Sequence, residues 1–359
     1  MEQFYCKTKI LSGPGSVVRL GELGIRRLLL VADPYFTKDG TAQQIANLSG
    51  AEKIEIFDRI LLDPSMQLVA EGTAFVKSFD PDTVVALGGG STLDCAKAMA
   101  YFSGLPVRLV AIPTTSGSGS EVTDFAILTH GDTKHPLIDE KMQPDVAILD
   151  SGLLKQLPKN LIADCGFDVL SHALESYVAK NASPFTDALA RDSFLLVFAH
   201  LPASFGGNVG VRQQIHTAAT MAGMAFSQAG LGLCHAMAHA LGGQYHLPHG
   251  RLNAILLPHV LEQNAVASGK YAAIARAAGL GGSTDTLAMR NLKNALIRLR
   301  RELHLPQDLS QAGVKLAQLR EKEKQIVKDV VSDPCCDTNP VPVTEEMVCR
   351  VLMAVTGHG

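Results

Sequence analysis

The first 150 residues carry short, nearly unbroken apolar runs separated by longer stretches in which apolar positions recur every three or four residues. RLLLVAD (27–33), KIEIFD (53–58), TVVALGGG (83–90), VRLVAIP (107–113) and DVAILD (145–150) are rich in Val, Ile and Leu and too short for helices. Such runs predict strands buried on both faces. Between them, TAQQIANL (41–48), QLVAEGTAFVKSF (67–79) and TLDCAKAMAYF (92–102) have helical spacing. Strand and helix in alternation predict a parallel sheet covered on both sides. The segment KILSGPGSVVRLGEL is expected to turn at Gly13-Pro14-Gly15 ahead of this unit. After about Leu157 the strand pattern ends. Ala/Leu-rich helical stretches follow, punctuated by Pro184, Pro202, Pro248, Pro258, Pro306, Pro334 and Pro340. The expected division is an α/β unit over 1–157 and an all-α unit over 158–359. The charged segment from Arg300 to Asp329 is expected to be a solvated helical face.

Composition narrows this picture. With 359 residues and 47% hydrophobic content, each unit can bury a core. A formal charge of −3 without long basic runs argues against a nucleic-acid footprint. No apolar run reaches the length needed to span a membrane, and MEQFYCKTKI lacks the apolar core of a signal peptide, so a cytoplasmic location is expected. The seven cysteines (6, 95, 165, 234, 335, 336 and 349) are odd in number and none forms Cys-x-x-Cys. They are expected to be free thiols in a reduced protein, with no cysteine zinc site.

Two Gly/Ser loops follow strands. Gly88-Gly89-Gly90-Ser91 leads into a helix, and PTTSGSGSEVT (113–123) follows VRLVAI. Glycine lets a pyrophosphate approach the backbone, and the N–H groups at a helix start attract its charge. Either loop alone would be an ordinary strand-to-helix turn; two in one parallel sheet point to a nucleotide. No Gly-x-Gly-x-x-Gly is present, and Gly13-x-Gly15 lacks the register to serve as one. Asp33, closing its strand, is placed either to cap a helix or to bind an adenosine ribose and repel a 2′-phosphate.

In the helical half, four histidines fall between 235 and 249. A single histidine on an apolar helix is usually a core residue with one hydrogen bond. Here Asp168 and His172 are four apart, as are His235 and His239, so each pair shares a helix face. His249 lies beyond Gly242-Gly243, where the chain can turn back. Asp168, His172, His235 and His249 would make a set of one carboxylate and three imidazoles. Such a set suits Fe, Zn, Co or Ni, and the carboxylate favours divalent iron. HAMAH lacks the glutamate of the His-Glu-x-x-His metalloproteases.

GGGSTLDCAKA, IPTTSGSGSEVT, GFDVLSHALESYV, AGMAFSQAGLGLCHAMAHALGG, HLPHGRLNAILLPHV and DTNPVPVT together resemble the iron-containing (group III) alcohol dehydrogenases, in family order from about residue 10 to 345. Within that family AGMAFSQAGLGLCHAMAHALGGQYHLPHG looks most like the propanol and ethanol dehydrogenases of propanediol and ethanolamine utilisation. The resemblance implies a Rossmann-like dinucleotide-binding domain followed by a helical metal domain. It puts the metal, Fe2+ ahead of Zn2+, on Asp168, His172, His235 and His249, with His239 beside the nicotinamide as the catalytic group. It puts NAD(H) on Asp33, Gly89, Gly90, Ser91, Asp94, Thr114, Thr115, Ser118 and Lys134. It further implies a small alcohol or aldehyde substrate, a homodimer or higher homo-oligomer, and association with a bacterial microcompartment. Ala240 and Ser151 depart from the family's usual residues, and the chain is shorter than typical members. His246 and His259 fall outside the implied ligand set.

The implied reaction is hydride transfer between a short alcohol or aldehyde and the nicotinamide, the metal polarising the substrate oxygen. Rivals within the fold are a glycerol-type polyol dehydrogenase and a lyase resembling dehydroquinate synthase. A polyhydroxy carboxylate would need Lys, Arg and Asn at the site, whereas the segments around the histidines offer Ala, Met, Leu and Phe226. A catalytically idle binding scaffold is the rival of another class.

Overall fold

A computed structural model describes residues 4–61, 63–130 and 133–357; the side chains of His130, Thr133 and Lys134 lie outside the description. The chain forms two compact units, one of residues 5–157 and one of 158–359 with the first four residues.

The α/β unit holds strands β1 (Lys9–Ser12), β2 (Arg27–Ala32), β3 (Lys53–Phe57), β4 (Thr83–Gly88), β5 (Arg108–Pro113), β6 (Phe125–His130), β7 (Thr133–Ile138) and β8 (Val146–Leu149). Its helices are α1 (Pro34–Lys38), α2 (Thr41–Leu48), α3 (Met66–Phe79) and α4 (Gly90–Ser103). Six strands make one sheet in the order β1-β8-β5-β4-β2-β3, every pair parallel. β6 and β7 form a separate antiparallel hairpin.

Alternate side chains of each central strand enter two different cores. Leu29, Val31, Val84, Ala86, Leu109 and Ala111 meet Val69, Val76, Leu93, Ala96 and Met99 from α3 and α4. Leu28, Leu30, Val85, Leu87, Val110 and Ile112 meet Leu20, Ala42 and Ile45 on the other face. Burial of both faces explains why these strands read as continuous apolar runs. KILS is the correction at the N-terminus: Lys9–Ser12 is not only a lead-in to the Gly13 turn but a sixth strand, register-paired Lys9↔Val146 to Ser12↔Leu149.

The other unit contains α5 (Lys159–Val178), α6 (Pro184–Phe205), α7 (Arg212–Ala229), α8 (Leu233–Tyr245), α9 (His249–Gln263), α10 (Ser268–Ala277), α11 (Asp285–Glu302), α12 (Leu316–Val331) and α13 (Glu345–Ala354). A 3-10 helix, Pro334–Thr338, separates the last two. The charged segment 300–329 is not one solvated face. It spans the end of α11 and much of α12, and Arg300 is buried, donating to the carbonyls of Ala254 and Ile255 at 3.0 and 3.2 Å. These two carbonyls satisfy a charge that would otherwise be costly to bury. No described helix is long and apolar enough to cross a membrane, and all seven cysteines are free thiols.

Candidate active site

In the α/β unit, β2 and β4 are neighbours, but the chain extends the sheet to opposite sides of them, with β3 beyond β2 and β5 and β8 beyond β4. Loops leaving the carboxyl ends of two such strands diverge and open a crevice, the usual ligand position in an open parallel sheet. Asp33 lies at this point. Its N–H donates to Leu87 O at 2.9 Å, and Thr114 N–H donates to Gly88 O at 2.9 Å. The ends of β2, β4 and β5 are thereby tied together.

The two glycine- and serine-rich loops touch. A Cβ at Gly90 would fall 3.0 Å from Ser118 Oγ, and one at Gly89 would fall 3.4 Å from Thr115. Gly88 has even less room, since its Cβ would lie 2.4 Å from Thr92 Oγ1. Gly89 caps α4 without a side-chain hydrogen bond, and its carbonyl accepts Thr92 N–H at 3.0 Å, so it is the N–H groups of Gly90 and Ser91 that face the start of the helix, where an anion is favoured. Ser91 Oγ accepts Asp63 N–H at 3.4 Å and Ser118 Oγ accepts Ser120 N–H at 3.3 Å. Thr114 is buried and Thr115 half-buried.

Asp33 caps α1, Oδ1 accepting Tyr35 N–H at 2.9 Å, and makes no hydrogen bond through Oδ2 among the described residues. Capping and ribose binding are therefore compatible. Asp94 is engaged within the protein through both oxygens. Oδ1 accepts from Ser120 Oγ at 2.6 Å and Oδ2 from Ile127 N at 3.0 Å. Lys97, one turn further along α4, is fully buried and donates to Thr123 Oγ1 and Phe125 O, both at 2.9 Å. Asp94 and Lys97 thus hold the 114–125 loop onto α4. Lys134 pairs with Thr129 in the β6–β7 hairpin, but its side chain is outside the described residues.

In the helical unit, α5 supplies Asp168 and His172, α8 supplies His235 and His239, and His249 begins α9. Asp168 Oδ1 lies 3.9 Å from His172 Nε2, 3.8 Å from His235 Nε2 and 3.5 Å from His249 Nε2. Four donors at about 2.1 Å from one tetrahedral ion would be separated by roughly 3.4 Å. Asp168, His235 and His249 already bring one ligand atom each within 4.8 Å of one another, whereas His172, 3.9 Å from Asp168 Oδ1, stands outside that group of three. His172 stacks between the rings of Phe226 and His235, at centroid distances of 4.3 and 4.5 Å. Gly250 allows the approach of α9 to α5, since a Cβ there would sit 1.9 Å from Asp164 O.

Electrostatics match that chemistry. Burial would raise the Asp168 carboxyl, but His172, His249 and His235 outweigh it and hold it below the usual carboxylate range. Burial lowers His235, yet Asp168 and Glu175 overcome it and raise the imidazole to about 9. Desolvation, helped by the surrounding imidazoles, keeps His249 well below its ordinary value against the pull of Asp168.

His239 points to different company. Its Nδ1 lies 2.9 Å from Asp333 Oδ2, and its ring stacks on His249 with centroids 5.2 Å apart. His246 is exposed at the end of α8 with a positive φ of 52°.

Both halves of the chain match one family. Residues 7–151 match the iron-containing alcohol dehydrogenases and residues 162–356 the C-terminal region of the same Fe-containing alcohol dehydrogenase family. The chain belongs to the iron-containing alcohol dehydrogenase family. Among this oxidoreductase family, it is 40% identical over 354 residues to a 1-propanol dehydrogenase of Citrobacter freundii, covering 95% of this chain and 96% of that protein. It is 34% identical to an NADPH-dependent butanol dehydrogenase of Clostridium saccharobutylicum, covering 99% and 98%. A crystal structure of a 1,3-propanediol oxidoreductase superposes with a TM-score of 0.93 at 32% identity, covering 99% of this chain and all of that one.

Three residues of this family member escaped the sequence reading. Glu175 is buried and accepts His235 Nδ1–H at 2.5 Å and Cys234 N–H at 2.6 Å. Asn253 is buried and donates to Asp168 Oδ1 at 2.8 Å. Asp333 partners His239. Glu175 lies seven residues beyond Asp168 and Asn253 four beyond His249, so helical spacing alone could have found both. Nothing in the sequence near Asp333 points to His239.

Proposed function

We propose that this chain is a metal-dependent, NAD(H)-linked alcohol dehydrogenase interconverting short-chain aldehydes and primary alcohols. The observation that carries the reading is the convergence of three imidazole Nε2 atoms, within 3.5 to 3.9 Å, on one oxygen of Asp168. Asp168, His172, His235 and His249 would hold the metal, iron before zinc. When bound, it supplies a Lewis acid for the substrate oxygen. The α/β unit, residues 1–157 in this reading, holds the dinucleotide, and the helical unit from 158 onward holds the metal and substrate.

The chain's own residues do the rest. Glu175 accepts the proton-bearing Nδ1 of His235 and so turns Nε2 towards Asp168, the carboxylate–histidine arrangement that orients a metal ligand and raises its basicity. Asn253 fixes the Asp168 carboxylate. Gly89, Gly90 and Ser91 receive the pyrophosphate at the α4 N-terminus, and Thr114, Thr115 and Ser118 line the nicotinamide side. Lys134 reaches the cofactor from the hairpin. Asp94 acts by holding the loop. His239, steadied by Asp333, stands beside the nicotinamide and passes the alcohol proton. Asp33 Oδ2 accepts from the ribose hydroxyl and opposes a 2′-phosphate, so NADH is preferred even though a relative's name says NADPH. The resemblance to propanediol-utilisation enzymes extends the proposal to a cytoplasmic homo-oligomer associated with a bacterial microcompartment.

Protein purified without oxygen and reconstituted with Fe2+ should oxidise NADH when propanal is added and lose this activity on chelation. Absence of metal-dependent turnover with propanal would overturn the reading. Asp33→Ser should narrow the gap in kcat/KM between NADH and NADPH by tenfold or so; a wild-type enzyme that already prefers NADPH refutes the role given to Asp33.

A further inference from the structure

His239, Asp333 and Cys335 lie outside the four-residue metal set, yet one nitrogen, one carboxylate oxygen and one sulfur from them fall within 4.8 Å of one another. All three residues are half-buried. Asp333 caps the Pro334–Thr338 turn, Oδ1 accepting Cys335 N–H at 2.8 Å, while Oδ2 faces His239 Nδ1 at 2.9 Å. The backbone turn fixes Asp333 and Cys335 together, and α8 brings the imidazole. The donors are therefore convergent before any ion arrives.

We propose that His239, Asp333 and Cys335 form a second metal site, one that takes a zinc-class divalent ion and inhibits the enzyme when filled. Imidazole and thiolate together favour zinc, cobalt or copper over magnesium and calcium. Three protein donors leave a fourth tetrahedral position to water. Binding takes the thiol proton and the proton now shared between His239 and Asp333. A thiolate and a carboxylate then neutralise the ion's two charges, so no net positive charge is added beside His249, on which His239 stacks. Burial first, and Asp333 next, push the Cys335 thiol well above its ordinary value. Only an ion with strong affinity for thiolate can displace that proton, which disfavours Fe2+. The sequence lacks the paired cysteines of a structural zinc site, and this site does without them by using one. Inhibition follows because the ion would occupy the imidazole assigned to the nicotinamide; that consequence rests on the proposed function, whereas the site does not.

The test uses enzyme already loaded with its Asp168-centred metal, titrated with Co2+. That first set contains no sulfur donor, so a thiolate-to-cobalt charge-transfer band reports the second site alone. One further equivalent of Co2+ should produce the band, Zn2+ should abolish it, and propanal reduction should fall in parallel. Cys335→Ser should keep basal activity while losing both the band and the inhibition by zinc; Cys336→Ser should keep all three. No band in the wild type, or a band that survives Cys335→Ser, overturns the site. A Cys335-dependent band without inhibition supports the site and removes His239 from catalysis.

Discussion

At the scale of single residues, the charges that matter are buried ones, and each is held by a partner that sequence proximity does not reveal. Glu175 stands 60 positions from His235, and Asn253 stands 85 from Asp168. Partners of metal-bound histidines usually change metal affinity 10- to 100-fold when altered. Glu175→Gln keeps the shape and a possible hydrogen bond but removes the charge behind His235. It should weaken metal binding by about that factor, read as metal content after dialysis against a graded chelator. Unchanged retention would mean that Glu175 serves only the α8 N-terminus. Lys97 is a different case, a fully buried amine held by Thr123 Oγ1 and Phe125 O. Burial lowers it to about 8 from 10.5, against the pull of Asp94, Glu121 and Asp124. The unfolded chain therefore binds more protons than the folded one between pH 8 and 10.5, so by linkage the cost of burying this charge is constant and full below about pH 8 and is relieved as pH rises through that window. Lys97→Met removes the titration. The urea midpoint of the wild type, measured relative to Lys97→Met, should rise from pH 8 to 10.5 and stay flat from 6 to 8. A flat difference throughout would show that the amine remains charged in the fold.

Elements show where sequence pattern informs and where it stops. β2, β4 and β5 were legible because both faces are buried, which leaves no polar position in RLLLVA, TVVALG or RLVAIP apart from their ends. β1 was not, because KILS is four residues long, lies at a sheet edge and exposes Lys9 and Ser12. Its identity is fixed by β8, 137 positions away by the Lys9↔Val146 register, which no local pattern carries. Arg300 misled for a similar reason: besides Gln307, its Nη1 donates to two carbonyls of α9, 45 and 46 positions away. The histidine spacing was legible because i and i+4 share a helix face. What spacing cannot supply is the close crossing of α9 over α5, and that depends on Gly250. Gly250→Ala puts a methyl carbon into the Asp164 carbonyl, a backbone atom that cannot swing away. Separating the two helices should cost about 1–3 kcal/mol, as overpacked sites do, and lower metal retention because His249 begins α9. Gly242→Ala is the control. Gly242 lies within α8 and its Cβ would meet nothing nearer than Leu252 Cδ1 of α9 at 3.6 Å, so alanine's helix preference should hold or raise stability by about 0.5–1 kcal/mol. Equal melting temperatures for the two variants would refute the close-approach argument.

For the molecule as a whole, the question is which substrates the architecture favours. The proposed metal set has Phe226 on one side, stacked on His172 at 4.3 Å; Phe226 lies in AGMAFSQAGLGL and His235 in HAMAHALGG. Neither segment carries a charge apart from any on its histidines. Burying an aliphatic tail against such surroundings gains about 0.8 kcal/mol per methylene. A hydroxyl taken out of water there without a partner loses on the order of 1–3 kcal/mol. Two extra hydroxyls on a three-carbon chain should therefore lower kcat/KM by about thirtyfold to roughly ten-thousandfold relative to propanal, through the transition-state stabilisation each one forfeits. Ethanal, propanal and butanal should be reduced in preference to glyceraldehyde or dihydroxyacetone. Direction follows from proton balance: alcohol oxidation releases a proton, so near neutral pH the aldehyde is the substrate, and raising the pH should shift the equilibrium tenfold per unit towards oxidation. A panel run with NADH and Fe2+-loaded enzyme decides the matter. A polyol or hydroxy acid ahead of propanal would mean that polar groups beyond those segments reach the substrate, and would bring the glycerol-type dehydrogenase reading forward instead.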